Sequence, residues 1–422
     1  MAAAPSPPSP GDLHDDQVVS MLRSGAHSAL LNGYFGEVEY RELCQLATLA
    51  AARFNPSGTR VFVLPGIMGS RLGAPEHGAS NLLWLHPPTI AHGGLLQLAM
   101  PATSALRAVG VMLPGYLKLR LSLEIAGFRP TFHPFDWRDD LERLAHGLID
   151  AIDRTEGNVL VVAHSMGGLV ARIALGADRN GRIARLVQLG APNAGSFAPL
   201  QALRAVYPTV RKIAALDPAH SAEELARRVF LTLPGLCQML PGRLAAHPAE
   251  PDFLDPASWP ADDLRPDPKL LARARIVRER MPPADERCTV IAGIGQETVV
   301  CARPSAGSLE YGLRCDGDGT VQLARAAWQG ARTWYVPENH GRLTTSSKVL
   351  AGLVEILQSG STRHLQSTAP VSSMRIERWV AERELRHAAT DKVVWDALSL
   401  DSRRRILEPV ISPEFSSGGG VM

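Results

Sequence analysis

The sequence predicts an α/β protein: a mostly parallel, doubly wound sheet with a helical cap inserted on one side. Three observations point there. Short apolar, β-branched runs at 60–64, 158–163, 185–190, 288–293 and 332–336 alternate with segments of helical spacing. Val159-Leu160-Val161-Val162-Ala163 has no polar position, as expected of a strand buried on both faces. The stretch from about 197 to 286 interrupts the alternation with short helical pieces and many prolines, Pro199, Pro218, Pro241 and Pro256 among them, which a compact sheet does not require.

Residues 1–16 are rich in Pro, Ser and Ala and lack the apolar area to offset ordering entropy, so disorder is expected there. A helical segment follows over 17–59, where Leu43, Leu46 and Leu49 among alanines mark a helix at 38–53 that Pro56-Ser57-Gly58 ends. The core domain is expected over 60–358. Its first strand, 60–64, runs into the glycine-bracketed loop Pro65-Gly66-Ile67-Met68-Gly69-Ser70. The segment 95–123 is apolar, broken by Pro114-Gly115-Tyr116, and its second half reads as a helix ending at Gly127. A strand is expected at 128–135, leading into Asp136-Trp137-Arg138. The segment 139–155 carries Leu141, Leu144, Leu148 and Ile152 on one helical stripe and leads into the all-apolar strand.

After the next strand, at 185–190, the cap insertion occupies about 197–286. Its apolar group Leu231, Leu233, Leu236, Met239 and Leu240 either packs the cap on the core or lines an acyl pocket. Strand 288–293 resumes the sheet, strand 332–336 closes it, and 343–357 is the last core helix. A polar linker over 359–373 precedes a C-terminal helical appendage at 374–412, whose arginines and glutamates fall at helical spacing. A flexible Gly-rich tail covers 413–422.

Composition bounds the function. A chain of 422 residues with 45% apolar and 20% charged residues builds a substantial core, and a net charge of +2 gives no polyanion-binding surface, so nucleic acid is not an expected partner. The N-terminus has neither the basic nor the apolar region of a secretory signal, and no apolar run is long enough to span a bilayer. Cys44, Cys237, Cys288, Cys301 and Cys315 are odd in number and lack metal-ligand spacing, so they read as ordinary thiols. The expected location is the cytoplasm, with the cap offering apolar residues for peripheral membrane contact.

The chemistry-bearing stretch is Ala163-His164-Ser165-Met166-Gly167-Gly168. Ser165 stands where the buried strand turns into a helix, with small residues two places to either side, as a sharp turn needs. Such a turn lifts the hydroxyl out of the sheet and sets it at a helix N-terminus, where free N–H groups favour developing negative charge. The bland alternative is a serine that only caps a helix. A serine nucleophile requires a base and a group that orients the base. Both follow in the chain: Asp316-Gly317-Asp318-Gly319-Thr320-Val321, then Asn339-His340-Gly341.

His340 is read as the base and Asp318 as its orienting acid, with Asp316 a competitor for that role. The order Ser, Asp, His is that of α/β-hydrolases. A calcium loop at 316–319 fails, because an EF-hand wants Gly and Glu where Val321 and Ala327 stand. The N–H groups of Ile67 and Met166 are nominated as oxyanion donors, although the 65–70 loop is equally explained as a tight turn. Asp136 and Trp137 read first as a core tryptophan beside an ion pair with Arg138, and second as shapers of a substrate site. A serine relay calls for no metal and no cofactor.

Taken together, Pro65-Gly66-Ile67-Met68-Gly69-Ser70, Phe135-Asp136-Trp137-Arg138, the elbow, Asp316-Gly317-Asp318-Gly319-Thr320-Val321 and His340 resemble the lecithin:cholesterol acyltransferase family of α/β-hydrolases. Pro114-Gly115-Tyr116, Leu233-Pro234-Gly235 and Leu240-Pro241 add to the resemblance, which runs from about residue 60 to 357. It implies acyl-ester chemistry on lipids through an acyl-serine, with Ser165, Asp318 and His340 as the triad and Ile67 and Met166 as the oxyanion hole. Water as acceptor gives a lipase or phospholipase, and an alcohol gives an O-acyltransferase. The family's secreted members carry signal peptides and disulfides, for which this sequence shows no pattern. The alternatives are a carboxylesterase without lipid preference and a non-catalytic interaction protein on the same fold. The sequence names no protein partner.

Overall fold

The computed structural model describes residues 14–74, 82–102, 105–244, 250–371, 375–387 and 392–411. Of the disorder expected over 1–16, residues 1–13 lie outside the described residues, as does the tail expected over 413–422; residues 14–16 are instead ordered, with His14 capping the helix Asp15–Ser24. In chain order the strands are β1 (Arg60–Leu64), β2 (Ser70–Gly73), β3 (Leu82–Trp84), β4 (Arg107–Val111), β5 (Arg129–Phe132), β6 (Val159–His164), β7 (Ile183–Leu189), β8 (Cys288–Gly293), β9 (Thr298–Ser305), β10 (Ser308–Arg314), β11 (Arg332–Val336) and β12 (Arg378–Ala381).

The central sheet runs β11-β8-β7-β6-β1-β5 with every neighbouring pair parallel. From β1 the chain goes outward to β5, then returns past β1 to β6 and continues through β7 and β8 to β11. Strand order therefore reverses between β1 and β6, and ligands of such sheets bind beyond the carboxyl ends of the strands at that point. This is the α/β-hydrolase fold.

The strand period of two divides the interior into two layers. Phe62 and Leu64 of β1 and Val159, Val161 and Ala163 of β6 join one core, with the helices Leu141–Asp153 and Met166–Ala177 and the cap. Val61 and Val63 of β1 and Leu160 and Val162 of β6 join the other, with the helices Glu37–Ala52, Leu113–Ile125 and Ser347–Ser359. With both faces covered, β6 has no polar position from Val159 to Ala163, the pattern read from 159–163.

The helix Leu141–Asp153 buries Leu141, Leu144, Ala145, Leu148 and Ile152 and starts at Asp140, whose carboxylate accepts from the N–H groups of Glu142 (3.0 Å) and Arg143 (3.4 Å). The prolines of the cap now have a local reason. Pro208, Pro234 and Pro268 each open a helix, where the missing N–H costs nothing. Pro130 sits on β5, the sheet edge, and that strand is shorter than the expected 128–135.

Two small antiparallel sheets, β3-β2-β4 and β12-β10-β9, are findings of the structure. Within 95–123 the chain forms a 3-10 turn (Gly94–Leu98) and β4 before the expected helix; β4, Arg-Ala-Val-Gly-Val with only Val111 buried, lacks the apolar run that marks the central strands. The hairpin β9–β10 turns at Ala306 and Gly307, both at positive φ (46° and 77°), the mirror-image turn that suits strand twist. The C-terminal segment differs from a purely helical appendage: β12 adds an edge to β10, and the following helix, Glu382–His387, buries Glu382. No described helix is long and apolar enough to cross a membrane.

Candidate active site

Four segments meet at the carboxyl ends of β1 and β6. The first is the elbow. Ser165 has φ 52° and ψ −123°, a conformation costing about 1–3 kcal/mol for a residue with a Cβ, and it directly precedes the helix Met166–Ala177. The turn is held by Ser165 N–H to the Leu189 carbonyl (2.9 Å) and Gly168 N–H to the Ser165 carbonyl (2.8 Å). Its tightness explains the glycines: a Cβ on Gly167 would collide with the Pro65 carbonyl and the Leu64 side chain. Ala163, in place of the usual first glycine, is fully buried between Leu64 of β1 and Gln188 of β7.

The acid and base arrive from the far side of the sheet. Ser165 Oγ lies 2.9 Å from His340 Nε2, and His340 Nδ1 lies 2.7 Å from Asp318 Oδ2. Asp318 Oδ1 accepts from the N–H groups of Thr320 (3.0 Å) and Val321 (2.7 Å), and the Asp318 carbonyl accepts from His340 N–H (2.8 Å). The carboxylate is thus fixed by its own turn, and it fixes the imidazole. An Nδ1–H donated to Asp318 leaves Nε2 free to accept the Ser165 proton. All three side chains are buried. Gly190, at φ 58°, underlies the pair: its Cβ would stand 3.0 Å from Asp318 Oδ2 and 3.1 Å from His340 Nδ1. Asp316 is turned elsewhere, paired with buried Arg314 and accepting from Gln322.

The loop after β1 faces Ser165. A Cβ on Gly66 would be 3.0 Å from Ser165 Cβ, so this backbone runs directly against Ser165. Ile67 and Met68 form the turn, Met68 at φ 61°, and Gly69 N–H donates to the Gly66 carbonyl (3.0 Å). Met166 is the first residue of its helix, where the N–H has no intrahelical acceptor. Ile67 and Met166 are therefore both brought to the serine.

Trp137 is placed in the core, with half-buried Asp136 beside it. Trp137 is fully buried, edge-to-face with Trp84 at 5.2 Å, and donates to the Ser70 carbonyl (3.2 Å). Asp136 pairs with the buried guanidinium of Arg138 (2.6 Å). These contacts describe a core tryptophan beside an ion pair. The cap group Leu231, Leu233, Leu236, Met239 and Leu240 is likewise buried, and the short helix Pro234–Gln238 sits on the site's rim: a Cβ on Gly235 would meet Met166 Cε at 2.7 Å.

Sequence reading gave no role to Tyr116 and set His164 aside. Gly66 N–H donates to Tyr116 Oη (2.8 Å), Tyr116 Oη lies 3.0 Å from His164 Nδ1, and His164 Nε2 lies 3.1 Å from the His340 carbonyl. Strand parity is the signal that could have found this pair. His164 follows Val162 onto the face that holds Tyr116.

With this geometry in view, the comparisons with known proteins add a domain likeness. Residues 144–236 match the family model described as a PGAP1-like alpha/beta domain. That segment holds β6, the elbow, β7 and the first part of the cap. No curated protein matches the sequence. Among solved structures, the Bacillus licheniformis lipase BlEst2 in its mature form is similar at 11% identity and TM-score 0.38, covering 73% of this chain and 94% of its own. The metagenomic carboxyl esterase MGS0156 is similar at 15% identity and TM-score 0.31, covering 68% and 66%. The NocB thioesterase domain is similar at 13% identity and TM-score 0.32, covering 72% and 95%.

Proposed function

We propose that this protein is a serine ester hydrolase that works through an acyl-serine on a lipid-like ester. The observation that carries the reading is the hydrogen-bonded chain from Ser165 through His340 to Asp318, set on a strained elbow at the sheet's switch point. Ser165 Oγ attacks the carbonyl carbon while its proton passes to His340 Nε2. Asp318 holds the tautomer and stabilises the imidazolium that forms. The carbonyl oxygen, now an alkoxide, accepts from the N–H groups of Ile67 and Met166. Collapse expels the alcohol, which takes the proton from His340. An incoming water, or an alcohol in the transfer reaction, repeats the cycle in reverse and frees the serine.

The lipid preference is supported by the apolar surroundings of the site, with half-buried Ile67 and Met68 on one side and the leucine- and methionine-rich cap on the other. Resemblance to the lecithin:cholesterol acyltransferase family supports the same substrate class and raises the transfer reaction. The test is product analysis by mass spectrometry after incubation with phospholipids, glycerides and short esters, with and without a long-chain alcohol. Wild-type protein is expected to release fatty acid, Ser165→Ala none, and new alcohol esters would add acyl transfer. Activity confined to short esters would restrict the protein to carboxylesterase chemistry. Identical products from both proteins would overturn the hydrolase reading.

A further inference from the structure

The reaction just described leaves two buried polar side chains beside the nucleophile without a task, Tyr116 and His164. Their hydrogen bonds have one consistent direction. The His340 carbonyl only accepts, so His164 must present N–H at Nε2. Neutral imidazole has one N–H, which leaves Nδ1 as an acceptor, and Tyr116 O–H donates to it. Tyr116 Oη in turn accepts from Gly66 N–H. Burial, with His340 nearby, pushes His164 far below the usual imidazole range, to about 3, in keeping with a ring that stays neutral.

The two ends of this chain are the parts of the site whose aim matters most. At one end, the Gly66–Ile67 peptide carries the Ile67 N–H. Its carbonyl is held by Gly69 N–H, and the preceding amide is held by Tyr116, so the plane of that peptide is clamped from both sides. Gly69 itself leaves room for the phenol, since a Cβ there would come within 2.8 Å of Tyr116 Oη. At the other end, the backbone of His340 is held by His164 at its carbonyl and by Asp318 at its N–H.

We infer that Tyr116 and His164 are positioning residues, which tie the oxyanion loop, the elbow and the His340 turn into one rigid unit and so keep the Ile67 N–H aimed at the developing oxyanion. The inference rests on the hydrolase reading above. A neutral His164 also serves the charge balance: the rings of His164 and His340 are 4.8 Å apart, and a second cation there would oppose the imidazolium of the transition state.

The experiment compares an ester with its thiono analogue, in which sulfur replaces the carbonyl oxygen and accepts hydrogen bonds weakly. The oxo-to-thiono rate ratio therefore reports how well the oxyanion donors are aimed, which a purely structural role would not move. Tyr116→Phe deletes one oxygen; it is expected to lower kcat roughly tenfold with KM little changed, and to shrink the oxo-to-thiono ratio by a similar factor. His164→Gln, which keeps a donor for the His340 carbonyl but offers Tyr116 no ring acceptor, is expected to shift the ratio the same way and supplies the reading should Tyr116→Phe not fold. An unchanged ratio in the folded variants overturns the inference. Equal oxo-ester rates for wild type and Ser165→Ala would instead remove the hydrolase reading beneath it.

Discussion

At the scale of single residues, two aspartates two positions apart have separate partners. Asp318 holds His340, whereas Asp316 is spent on Arg314 in the protein interior. Asp318→Asn is expected to lower kcat by on the order of 10⁴-fold, because an amide at that position favours the wrong imidazole tautomer, while leaving the melting temperature nearly unchanged. Asp316→Asn is expected to do the opposite, costing about 3 kcal/mol in denaturant unfolding with kcat retained. Swapped outcomes would assign the orienting role to Asp316.

His164 makes a second residue-scale prediction. In the unfolded chain it takes up a proton as pH falls below its ordinary value of 6.5, whereas in the folded protein it does so only near 3. The unfolded state therefore binds more protons in that window, and stability is full above pH 6.5 and declines as pH falls towards 3. Unfolding free energy should drop across the window, with this group contributing a slope of at most about 1.4 kcal/mol per pH unit. His164→Gln should flatten the upper part of that decline, above the range where carboxylates titrate. A slope unchanged by the substitution would assign it to other groups.

At the scale of elements, Asp140 joins the core to the cap. Besides capping the helix Leu141–Asp153, its carboxylate accepts from Arg273 (2.8 and 2.9 Å), on the cap helix Pro268–Glu279, and from Gln238 (2.5 Å), at the end of the helix Pro234–Gln238. Burial by itself would raise its pKa, but these donors and the helix N–H groups outweigh burial and hold it low. Asp140→Ala removes a helix cap and a partly buried ion pair together. A loss of about 2–3 kcal/mol is expected, with faster amide exchange in the cap helices than in the central sheet. Exchange that rises evenly across the protein would mean that the cap is not a separately released unit.

At the scale of the whole molecule, the C-terminal segment works as a strap. Glu382, fully buried, pairs with Arg204 of the cap (2.8 Å), which also binds Asp262 (2.7 Å). Lys392 donates to the Ala214, Asp217 and His220 carbonyls at the end of the helix Pro208–Leu216. The last helix, Leu400–Ile411, packs against that same helix and against Ser28–Phe35 near the start of the chain. Deleting residues 374–422 would unpair the β10 edge and leave buried Arg204 with one partner fewer. Lower thermal stability and new protease cleavage within 197–286 are expected; a truncated protein as stable and as resistant as the full chain would make the segment a passive extension.

The central strands, the elbow and the chain order of Ser165, Asp318 and His340 were legible in the residues alone. An all-apolar strand is unambiguous when both faces are covered, and the strand-to-helix turn at Ser165 selects small neighbours that are visible one by one in the chain. What the tertiary structure decided depends on contacts between distant segments. Asp316 and Asp318 are equivalent as letters, and the direction of one turn gives His340 to the second of them. Tyr116 and His164 are 48 positions apart, and strand parity together with helix packing brings them within a hydrogen bond. Glu382 reads as one more charge on a solvated helix until Arg204 is found beneath it. Local pattern records which face of an element is apolar; it carries no record of which polar groups must be satisfied across the interior, and that accounting closes only in three dimensions.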